Sequence, residues 1–260
     1  MTDDQAANDL KCDLLIFVAT PSEVEQLETV AKEMAIEFRE TKARDFAFYS
    51  MGTIGSNRVN AVRVEMGPFS YGGSAARGIF YKTVSSAAGI IQLGMAFGVN
   101  DNQQKLGDVL ISTHLFPYDY RQIDESDGWY KTSYSKVVPH PAKQSLLEMC
   151  RKHHESTSLG HEVYFGGLLT GGAKIFSKHF VREMQETLPK VEEGLIVGGE
   201  MEGAGLLSIT PKDDPCWLVV KGICDFADEN RDRVIRESRP VACRNSARFV
   251  LSALSKYPQL

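Results

Sequence analysis

The sequence predicts an α/β protein: a single-domain, three-layer fold with a central β-sheet flanked by helices. Two observations support this class. Short apolar runs typical of buried strands alternate with longer amphipathic stretches typical of helices. The chain has 260 residues, 43% hydrophobic and 24% charged, which is enough to bury one large core. We therefore expect one domain over residues 1–260, with residues 1–12 as a flexible N-terminal tail.

The first predicted unit is a strand, a tight turn and a helix. Residues 13–20, DLLIFVAT, form an apolar run that predicts a buried strand. The next stretch, PSEVEQLETVAKEMA, begins with a proline, a serine and an early glutamate before apolar residues recur at helical spacing. This order is typical of a capped helix start, so a helix is expected directly after the strand.

The same alternation continues to the C-terminus. Further strands are predicted at residues 58–67, 89–99, 106–116, 162–172 and 216–228, the second of them running into a glycine-bearing loop. Further helices are predicted at residues 71–86, 177–188 and 240–257. No repeat or Pro/Ser-rich linker interrupts this order, which predicts a sheet covered by helices on both faces.

Residues 116–141 are the least patterned part of the chain, with the sequence FPYDYRQIDESDGWYKTSYSKVVPHP. A segment of this length without secondary structure is unusual inside a compact domain. Such segments are commonly functional. We therefore expect it to take part in the site or in a contact between subunits.

Charge and cysteine content indicate which partners and which cellular compartment to expect. The formal net charge is -5 and the pI is ≈ 5.7, so no overall basic surface for nucleic acid is expected. The N-terminus is acidic where a secretory signal is basic, and no apolar run approaches the roughly 18 residues of a membrane span. Five widely spaced cysteines, with no CxxC pair, favour a reduced, cytoplasmic protein.

No cofactor or metal is predicted. The histidines and cysteines do not occur at zinc-ligand spacing, and the first strand is not followed by GxGxxG. Polar residues instead cluster after predicted strands: Glu23 after the first, Gly94 to Gly98 after the central one, Glu200 and Glu202 after GLIVGG, and Asp225 after CWLVVKGI. The carboxyl ends of strands are where α/β sheets bind ligands, so a site is expected there.

Five motifs in order identify a family: ATPSEVEQL, LGMAFGV, KLGDVLIS, GEMEGAG and KGICDFAD. Each is weak alone, but the ordered set resembles the purine nucleoside phosphorylase and nucleosidase superfamily, most of all its methylthioadenosine/S-adenosylhomocysteine nucleosidase branch. The resemblance runs from about residue 14 to the final helix. It implies a nucleoside phosphorylase-like fold with a mixed, twisted sheet, and cleavage of the N-glycosidic bond of a purine nucleoside.

The resemblance implies three catalytic carboxylates, because the reaction passes through a ribosyl cation-like transition state. Glu202 would hold the ribose hydroxyls near the developing charge, Glu23 would orient the attacking water, and Asp225 would protonate purine N7. This division of labour parallels glycoside hydrolysis. A carboxyl in a largely apolar cleft can carry a proton near neutral pH, which is the state expected of Asp225.

The resemblance also implies substrate contacts. Met201 would pack against the sugar, Glu200 would support the turn, and Ile175 would reach the purine through its main chain. Lys221 stands where the family usually has an arginine near the water and the sugar hydroxyls. The other predicted substrate-binding residues are Lys174, Phe176, Met95, Ala96, Phe97, Cys224 and Phe226.

The chain departs from the family pattern at several of these positions. Met95 replaces a usual serine and Phe97 a usual glycine, while Cys224 replaces a serine or threonine and is the weaker hydrogen-bonding group. Lys174 stands near the usual stacking aromatic, so Phe226 or Phe176 would stack on the purine instead. These departures leave the 5' substituent of the substrate open, as well as the choice between adenine and another purine.

The same residues have plainer explanations. Glutamates before a helix, such as Glu23, Glu200 and Glu202, can complement the helix dipole, and Asp228 fits a capping residue after a strand. The five ordered motifs favour the functional interpretation for Glu202. Glu200 and Asp228 are expected to be structural supports.

Hydrolysis is predicted rather than phosphorolysis. The resemblance places phosphate-binding arginines in the first turn and just before the glycine loop, where this chain has Glu23 and Gln92, and a loop hydroxyl where it has Met95. A glutamate repels a phosphate dianion. The expected products are free base and ribose, or a 5'-substituted ribose. An arginine from a neighbouring subunit would restore phosphorolysis.

Two further interpretations stay open. The segments KGICDFADENRD and GGAKIF are also similar to phosphorylase-like domains of immune and stress-response proteins, some of which cleave nucleotides; Lys174, Arg121 and Lys131 would then meet the 5' side. The scaffold could instead bind a nucleoside without catalysis. The family resemblance also implies a homo-oligomer, whether dimer, trimer or hexamer.

Overall fold

A computed structural model describes residues 10–43, 46–126, 128–189 and 195–257 of the chain. The strands are β1 (Leu14–Val18), β2 (Arg39–Ala43), β3 (Phe46–Ile54), β4 (Asn57–Arg63), β5 (Gly89–Gly98), β6 (Val109–Pro117), β7 (Gln122–Ser126), β8 (Trp129–Ser133), β9 (His140–Pro141), β10 (Val163–Thr170), β11 (Ile196–Glu200) and β12 (Trp217–Asp225). The helices are α1 (Pro21–Glu33), α2 (Ser74–Ser85), α3 (Gln144–Ser156), α4 (Lys178–Thr187), α5 (Gly203–Leu206) and α6 (Arg231–Lys256).

Ten of the described strands form one mixed sheet in the order β11-β10-β6-β12-β5-β1-β4-β3-β2, with β9 paired to β6. Strand β5 lies between β1 and β12 and is parallel to both, whereas β12 and β6 are antiparallel. Helix α6 packs on β12 and β5, and α1 packs against α6. The predicted α/β class, with helices around a central mixed sheet, is confirmed.

One half of the sheet closes into a ring. Strand β11 pairs with β10 on one side and with β5 on the other, so that β5, β12, β6, β10 and β11 follow one another around a circle. The β11–β5 contact joins Gly198 to Gly98 and Gly199 to Phe97. A Cβ atom at Gly198 would lie 2.4 Å from the Phe97 carbonyl oxygen, so the missing side chain permits this approach.

The core extends to the start of the described chain. Leu10 and Cys12 are buried within it, and the Cys12 N–H donates to the Ser85 carbonyl. Of the predicted flexible tail, residues 1–9 lie outside the described residues, whereas residues 10 and 12 are packed rather than free. All five cysteines are buried free thiols.

Several element boundaries differ from those predicted. The final helix begins at Arg231 and not at Pro240, which lies inside it. The segment at 94–98, predicted as a glycine-bearing loop, is the end of strand β5. Strands β2 and β3 were not predicted. The unpatterned segment 116–141 contains the hairpin β7–β8 and the short strand β9. No helix among the described residues is long and apolar enough to cross a membrane.

Candidate active site

A cavity of about 350 Å³ opens where β1, β5, β11 and β12 end. We call it the catalytic cavity. Its lining residues are Thr20, Pro21, Ser22, Glu23, Met66, Met95, Ala96, Phe97, Ala173, Lys174, Ile175, Gly199, Glu200, Met201, Glu202, Cys224, Asp225, Arg231 and Arg239. The ring closure of the sheet explains this gathering, because it brings the end of β11 beside the ends of β5 and β12.

Glu23 is held in the first turn of α1 by a reciprocal capping box. Its Oε2 accepts hydrogen bonds from the N–H groups of Ala19 (2.6 Å) and Thr20 (2.8 Å), and its own N–H donates to the Thr20 hydroxyl. Its Oε1 accepts from the Met95 N–H at 3.1 Å. Gly94, with φ of 144°, permits this contact, since a Cβ there would lie 1.8 Å from Glu23 Oε1. The carboxylate is therefore fixed between α1 and β5.

Glu200 and Glu202 have different tasks at the end of β11. The Glu200 carboxylate accepts hydrogen bonds from the N–H groups of Glu202 (2.9 Å) and Gly203 (2.9 and 3.0 Å), which closes the turn into α5. Glu202 accepts from the Gly67 N–H at 3.4 Å and from Lys221 Nζ at 2.8 Å. Glu200 thus supports the turn, and that turn presents Glu202 to the cavity.

Lys221 lies behind these carboxylates rather than in the cavity wall. Its side chain is 0% exposed, and its Nζ lies 2.8 Å from Glu202 Oε2 and 3.9 Å from Glu23 Oε1. The prediction that Lys221 contacts the substrate is therefore wrong. A buried ammonium between two buried carboxylates compensates their charge and fixes their positions.

Burial and mutual repulsion shape the protonation of this cluster. Burial raises the pKa of Glu23, and Glu202 raises it further, although Lys221 opposes both effects. Burial also raises the pKa of Glu200, with Lys221 again opposing. Burial alone would lower the pKa of Lys221, but the three surrounding carboxylates raise it above its usual value. Lys221 therefore stays charged, while Glu23 is a stronger base than an exposed glutamate.

Asp225 is the last residue of β12, and both of its carboxylate oxygens accept hydrogen bonds. Its Oδ1 accepts from the Ala227 N–H at 2.9 Å, and its Oδ2 accepts from Arg231 Nε at 3.1 Å and from the Cys224 thiol at 3.4 Å. The expectation of a largely apolar cleft is therefore wrong for this residue, because a guanidinium pairs with it.

The Cys224 thiol is turned into the protein. It donates to the Ala96 carbonyl at 3.3 Å as well as to Asp225, and burial raises the pKa of the thiol. It therefore remains a neutral donor that supports Asp225. Within the cavity wall Phe97 is the aromatic residue, and its ring lies where a Cβ at Gly199 would come within 2.3 Å of Cζ.

The two phenylalanines predicted to stack on the purine do not line the cavity. Phe176 is 43% exposed, and its ring centroid lies 5.1 Å from the guanidinium carbon of Arg231 and 5.7 Å from Lys174 Nζ. It packs with these cations at the cavity mouth. Phe226 is half-buried and packs against the core. Stacking by either ring therefore stays a prediction, and the aromatic residue in the cavity wall itself is Phe97.

The structure also reveals cationic residues that sequence reasoning missed. Arg231 and Arg239 line the cavity from α6, eight residues apart and hence on one face of the helix. The spacing in RDRVIRESR could have revealed them, but the helix was expected to start only at Pro240. Of the three cations predicted for a nucleotide, Lys174 lines the cavity, whereas Arg121 and Lys131 do not. Arg121 lies 3.6 Å from Asp119.

Asp228, three residues after Asp225, makes only structural contacts among those described. Asp228 accepts from the Asn230 N–H at 3.0 Å and pairs with Lys178 at 3.2 Å. In the part of the chain that the structure describes, no group of three His, Cys, Asp or Glu residues is placed to hold a metal ion. The cavity thus offers carboxylates, backbone groups and cations for its chemistry.

The mixed sheet flanked by helices, with three carboxylates at one cavity, agrees with the nucleoside phosphorylase-like fold that the resemblance implied. A family model described as "Phosphorylase superfamily" matches residues 13–255. The chain belongs to this superfamily, which confirms the family resemblance, including its likeness to the methylthioadenosine/S-adenosylhomocysteine nucleosidase branch.

Individual relatives are distant. A 5'-methylthioadenosine/S-adenosylhomocysteine nucleosidase from Glaesserella parasuis is 24% identical over 170 residues, 65% of this chain and 69% of that protein. A death domain-containing ATP nucleosidase from Amphimedon queenslandica is 22% identical over 182 residues, 64% of this chain but only 33% of that protein. The Neisseria meningitidis nucleosidase solved with methylthio-immucillin-A has a TM-score of 0.73 and 19% identity, covering 94% of this chain and 98% of its own.

Proposed function

We propose that the chain hydrolyses the N-glycosidic bond of a purine nucleoside, releasing the free base and ribose or a 5'-substituted ribose. The observation that carries this proposal is the convergence of Glu23, Glu202 and Asp225 on one cavity, with Lys221 buried behind the first two. The nucleosidase relative and the solved nucleosidase of the same fold support it.

Each carboxylate has a task in this reaction. Glu202 accepts hydrogen bonds from the ribose 2'- and 3'-hydroxyls, and its charge stabilises the cationic sugar. Glu23 takes a proton from the water that attacks C1'. Asp225 acts in its acid form and transfers its proton to purine N7 as the C1'–N9 bond breaks, so that the base leaves as a neutral purine. Met201 and Phe97 supply apolar surface for the sugar and the base, and Ile175 presents its main chain to the purine.

Hydrolysis is favoured over phosphorolysis by the first turn. The Glu23 carboxylate occupies the place where a phosphate nucleophile would approach C1', and it would repel a dianion. Gln92 is 0% exposed and lies outside the cavity wall, so it offers phosphate no contact. We therefore propose that water, and not phosphate, is the nucleophile.

The decisive experiment incubates the protein with adenosine, methylthioadenosine, inosine, guanosine and ATP, with and without phosphate, and measures free base by chromatography. Release of base and free sugar without phosphate is the expected result. A ribose 1-phosphate product that disappears when phosphate is omitted would show phosphorolysis. Binding without any base release would show a non-catalytic nucleoside-binding protein.

We propose a homo-oligomer and offer one surface for its contact. The hairpin β7–β8 carries Ile123, Trp129 and Tyr130, which are 60%, 79% and 80% exposed, and Tyr120 precedes it. Ile123 and Tyr130 lie on one face of the hairpin and Trp129 on the other, and exposed large apolar side chains of this kind are typical of an interaction surface. Sedimentation of the wild type against Trp129→Ser tests this: we expect a larger species that dissociates in the variant, and a monomeric wild type would contradict it.

We also propose a cytoplasmic location and a single domain over residues 1–260. Five buried free thiols support a reducing compartment. The acidic balance of the chain supports small molecules rather than nucleic acid as partners. The test of location is fractionation of cells that express the protein, in which we expect it in the cytoplasmic fraction and not with membranes.

A further inference from the structure

A second depression adjoins the catalytic cavity. This arginine groove has a volume of about 440 Å³ and is lined by Arg63, Glu65 and Arg77, among others. It shares Thr20, Pro21 and Met66 with the catalytic cavity, so the two form one continuous path across these residues. A ligand seated in the cavity can therefore extend into the groove.

The position of the groove relative to the reacting groups identifies which part of a substrate would enter it. This step rests on the proposed function, which assigns the ribose diol to Glu202, the attacking water to Glu23, and the purine to Asp225 and Ile175. The stretch of wall formed by Thr20, Pro21 and Met66 has no assigned partner. The substituent left over is the sugar's 5' group, and the groove opens from that stretch.

The charges along this path favour an anion. Arg63 and Arg77 line the groove together with one carboxylate, Glu65, so two positive charges face one negative charge and the wall is positive on balance. The Arg77 guanidinium carbon also lies 5.3 Å from the Tyr71 ring centroid, which fixes its side chain. Guanidinium groups that outnumber the carboxylate suit the binding of phosphate oxygens.

Arg239 adds a third cation inside the catalytic cavity. Its Nε is buried, and no group among the described residues accepts a hydrogen bond from it. It lies on α6, the helix that packs against α1, and α1 carries Glu23. Arg239 therefore belongs to the Glu23 side of the cavity. A buried unpaired donor is costly unless a ligand satisfies it.

We propose that the substrate is a purine nucleoside carrying a phosphate group on its 5' carbon, and that the arginine groove binds this phosphate. Arg63 and Arg77 contact the phosphate oxygens, and Arg239 donates to the inner end of the same substituent. The nucleoside part keeps its place against Glu202 and Asp225. The groove thereby selects a 5'-phosphorylated substrate without altering the reacting groups.

The experiment compares adenosine with adenosine 5'-monophosphate on the wild type and on Arg63→Gln and Arg77→Gln. Arg236→Gln is the matched control, because Arg236 is exposed on α6 and lines neither depression. Both groove variants should raise KM for the monophosphate on the order of tenfold, as expected for a lost charge-assisted hydrogen bond. KM for adenosine, kcat and the control should stay unchanged.

Binding measured by calorimetry on Glu23→Gln separates the groove from catalysis. Arginine-dependent binding of the monophosphate, with no base released from any compound by the wild type, would support the groove and contradict the hydrolase. Base release without any preference for the monophosphate, or equal losses for both ligands in the groove variants, would overturn the groove assignment alone. Absence of monophosphate binding would also overturn it.

The last part of the experiment adds inorganic phosphate, because the arginines of the groove could bind free phosphate as well as a 5'-phosphate. If inorganic phosphate accelerates release of base from adenosine, and Arg63→Gln abolishes that acceleration, then the groove holds a co-substrate. That result would overturn the 5' assignment. Release that is insensitive to inorganic phosphate, combined with the arginine-dependent KM of the monophosphate, supports it.

Discussion

The buried lysine is the residue on which the charges of the site depend. Lys221 has no solvent contact, and it lies 2.8 Å from Glu202 and 3.9 Å from Glu23. Two buried carboxylates without a cation would repel each other and would tend to take up protons. A lysine supplies a compact charge to both, whereas the arginine usual in the family would present a wider planar group. The lysine therefore offsets the charge of the two glutamates and holds them in position.

Glu23→Gln tests the base at the residue scale. The amide retains the shape and can still meet the backbone groups around it, but it cannot accept the proton of the attacking water. Turnover should fall by about 10² or more, while calorimetric binding of nucleoside persists. The matched control is Glu25→Gln, an exposed neighbour on α1. Near-normal turnover in the Glu23 variant would leave that residue only its capping role.

Asp225→Asn tests the proton path to the purine. Asparagine preserves the volume and can hydrogen-bond a purine nitrogen, yet it cannot transfer a proton and it loses the ion pair with Arg231. We expect base release to drop by on the order of 10² to 10⁴, with the melting temperature showing whether the fold is retained. Asp228→Asn is the control, since its contacts are to Lys178 and Asn230. Equal losses in both variants would indicate a shared structural role.

The pH profile tests the state of Glu23. Burial raises its pKa, and the base must be deprotonated to act. Lowering the pH through that raised pKa therefore removes activity, so the acid limb of kcat should lie above the ordinary glutamate value. Measuring kcat in steps across the acid range checks this. An acid limb at the ordinary value or below would show that Lys221 outweighs burial.

At the scale of elements, strand β11 controls the geometry of the site. It is only five residues long, Ile196–Glu200, and it pairs with two strands at once. Its glycines let it approach β5 closely, and its last residue starts the turn that presents Glu202. Helix α6 is the second determinant, because it carries Arg231 and Arg239 into the same cavity.

Gly198→Ala tests this close approach. The added methyl would lie 2.4 Å from the Phe97 carbonyl oxygen and 2.3 Å from a Leu110 methyl carbon, so the strands must separate. We expect the free energy of unfolding to fall by about 1–3 kcal/mol, as for overpacking, measured by urea denaturation. Gly160→Ala, with nothing within 4 Å of its added Cβ, is the control. Equal stability of the two variants would contradict the account of β11.

At the scale of the whole molecule, the alternating apolar and amphipathic pattern was sufficient to predict the α/β class. Local periodicity could not reveal β2, which is the edge strand of the sheet, or β3, whose buried side chains Phe48, Met51 and Ile54 do not alternate strictly with exposed ones. Pro240 was misleading, because proline usually marks a helix start, whereas here it lies within a helix already begun at Arg231. The fold class could be predicted from which segments are apolar enough to be buried, whereas the boundaries of the helices and strands depend on tertiary packing.

The candidate active site, like the fold, could be predicted only in part from the sequence. Residues next to strand ends, such as Glu23, Glu202 and Asp225, could be found because strand ends converge in this fold class. Contacts that depend on how α6 and β12 pack could not be found: these are the ion pair of Arg231 with Asp225, six residues apart, and the burial of Lys221. The orientation of Phe176 and Phe226 likewise follows from tertiary contacts that one sequence does not encode locally.

The ring closure of the half-sheet has a consequence for local fluctuations. Because β11 is bonded on both sides, its amides cannot meet solvent by fraying from an edge, and opening there must disrupt two ladders together. Hydrogen–deuterium exchange should therefore find the amides of β11 and the end of β5 among the slowest, exchanging with nearly the free energy of global unfolding, while those of β2 at the open edge exchange early. The part of the cavity wall formed by β11 and the end of β5 would then belong to the last cooperative unit to unfold.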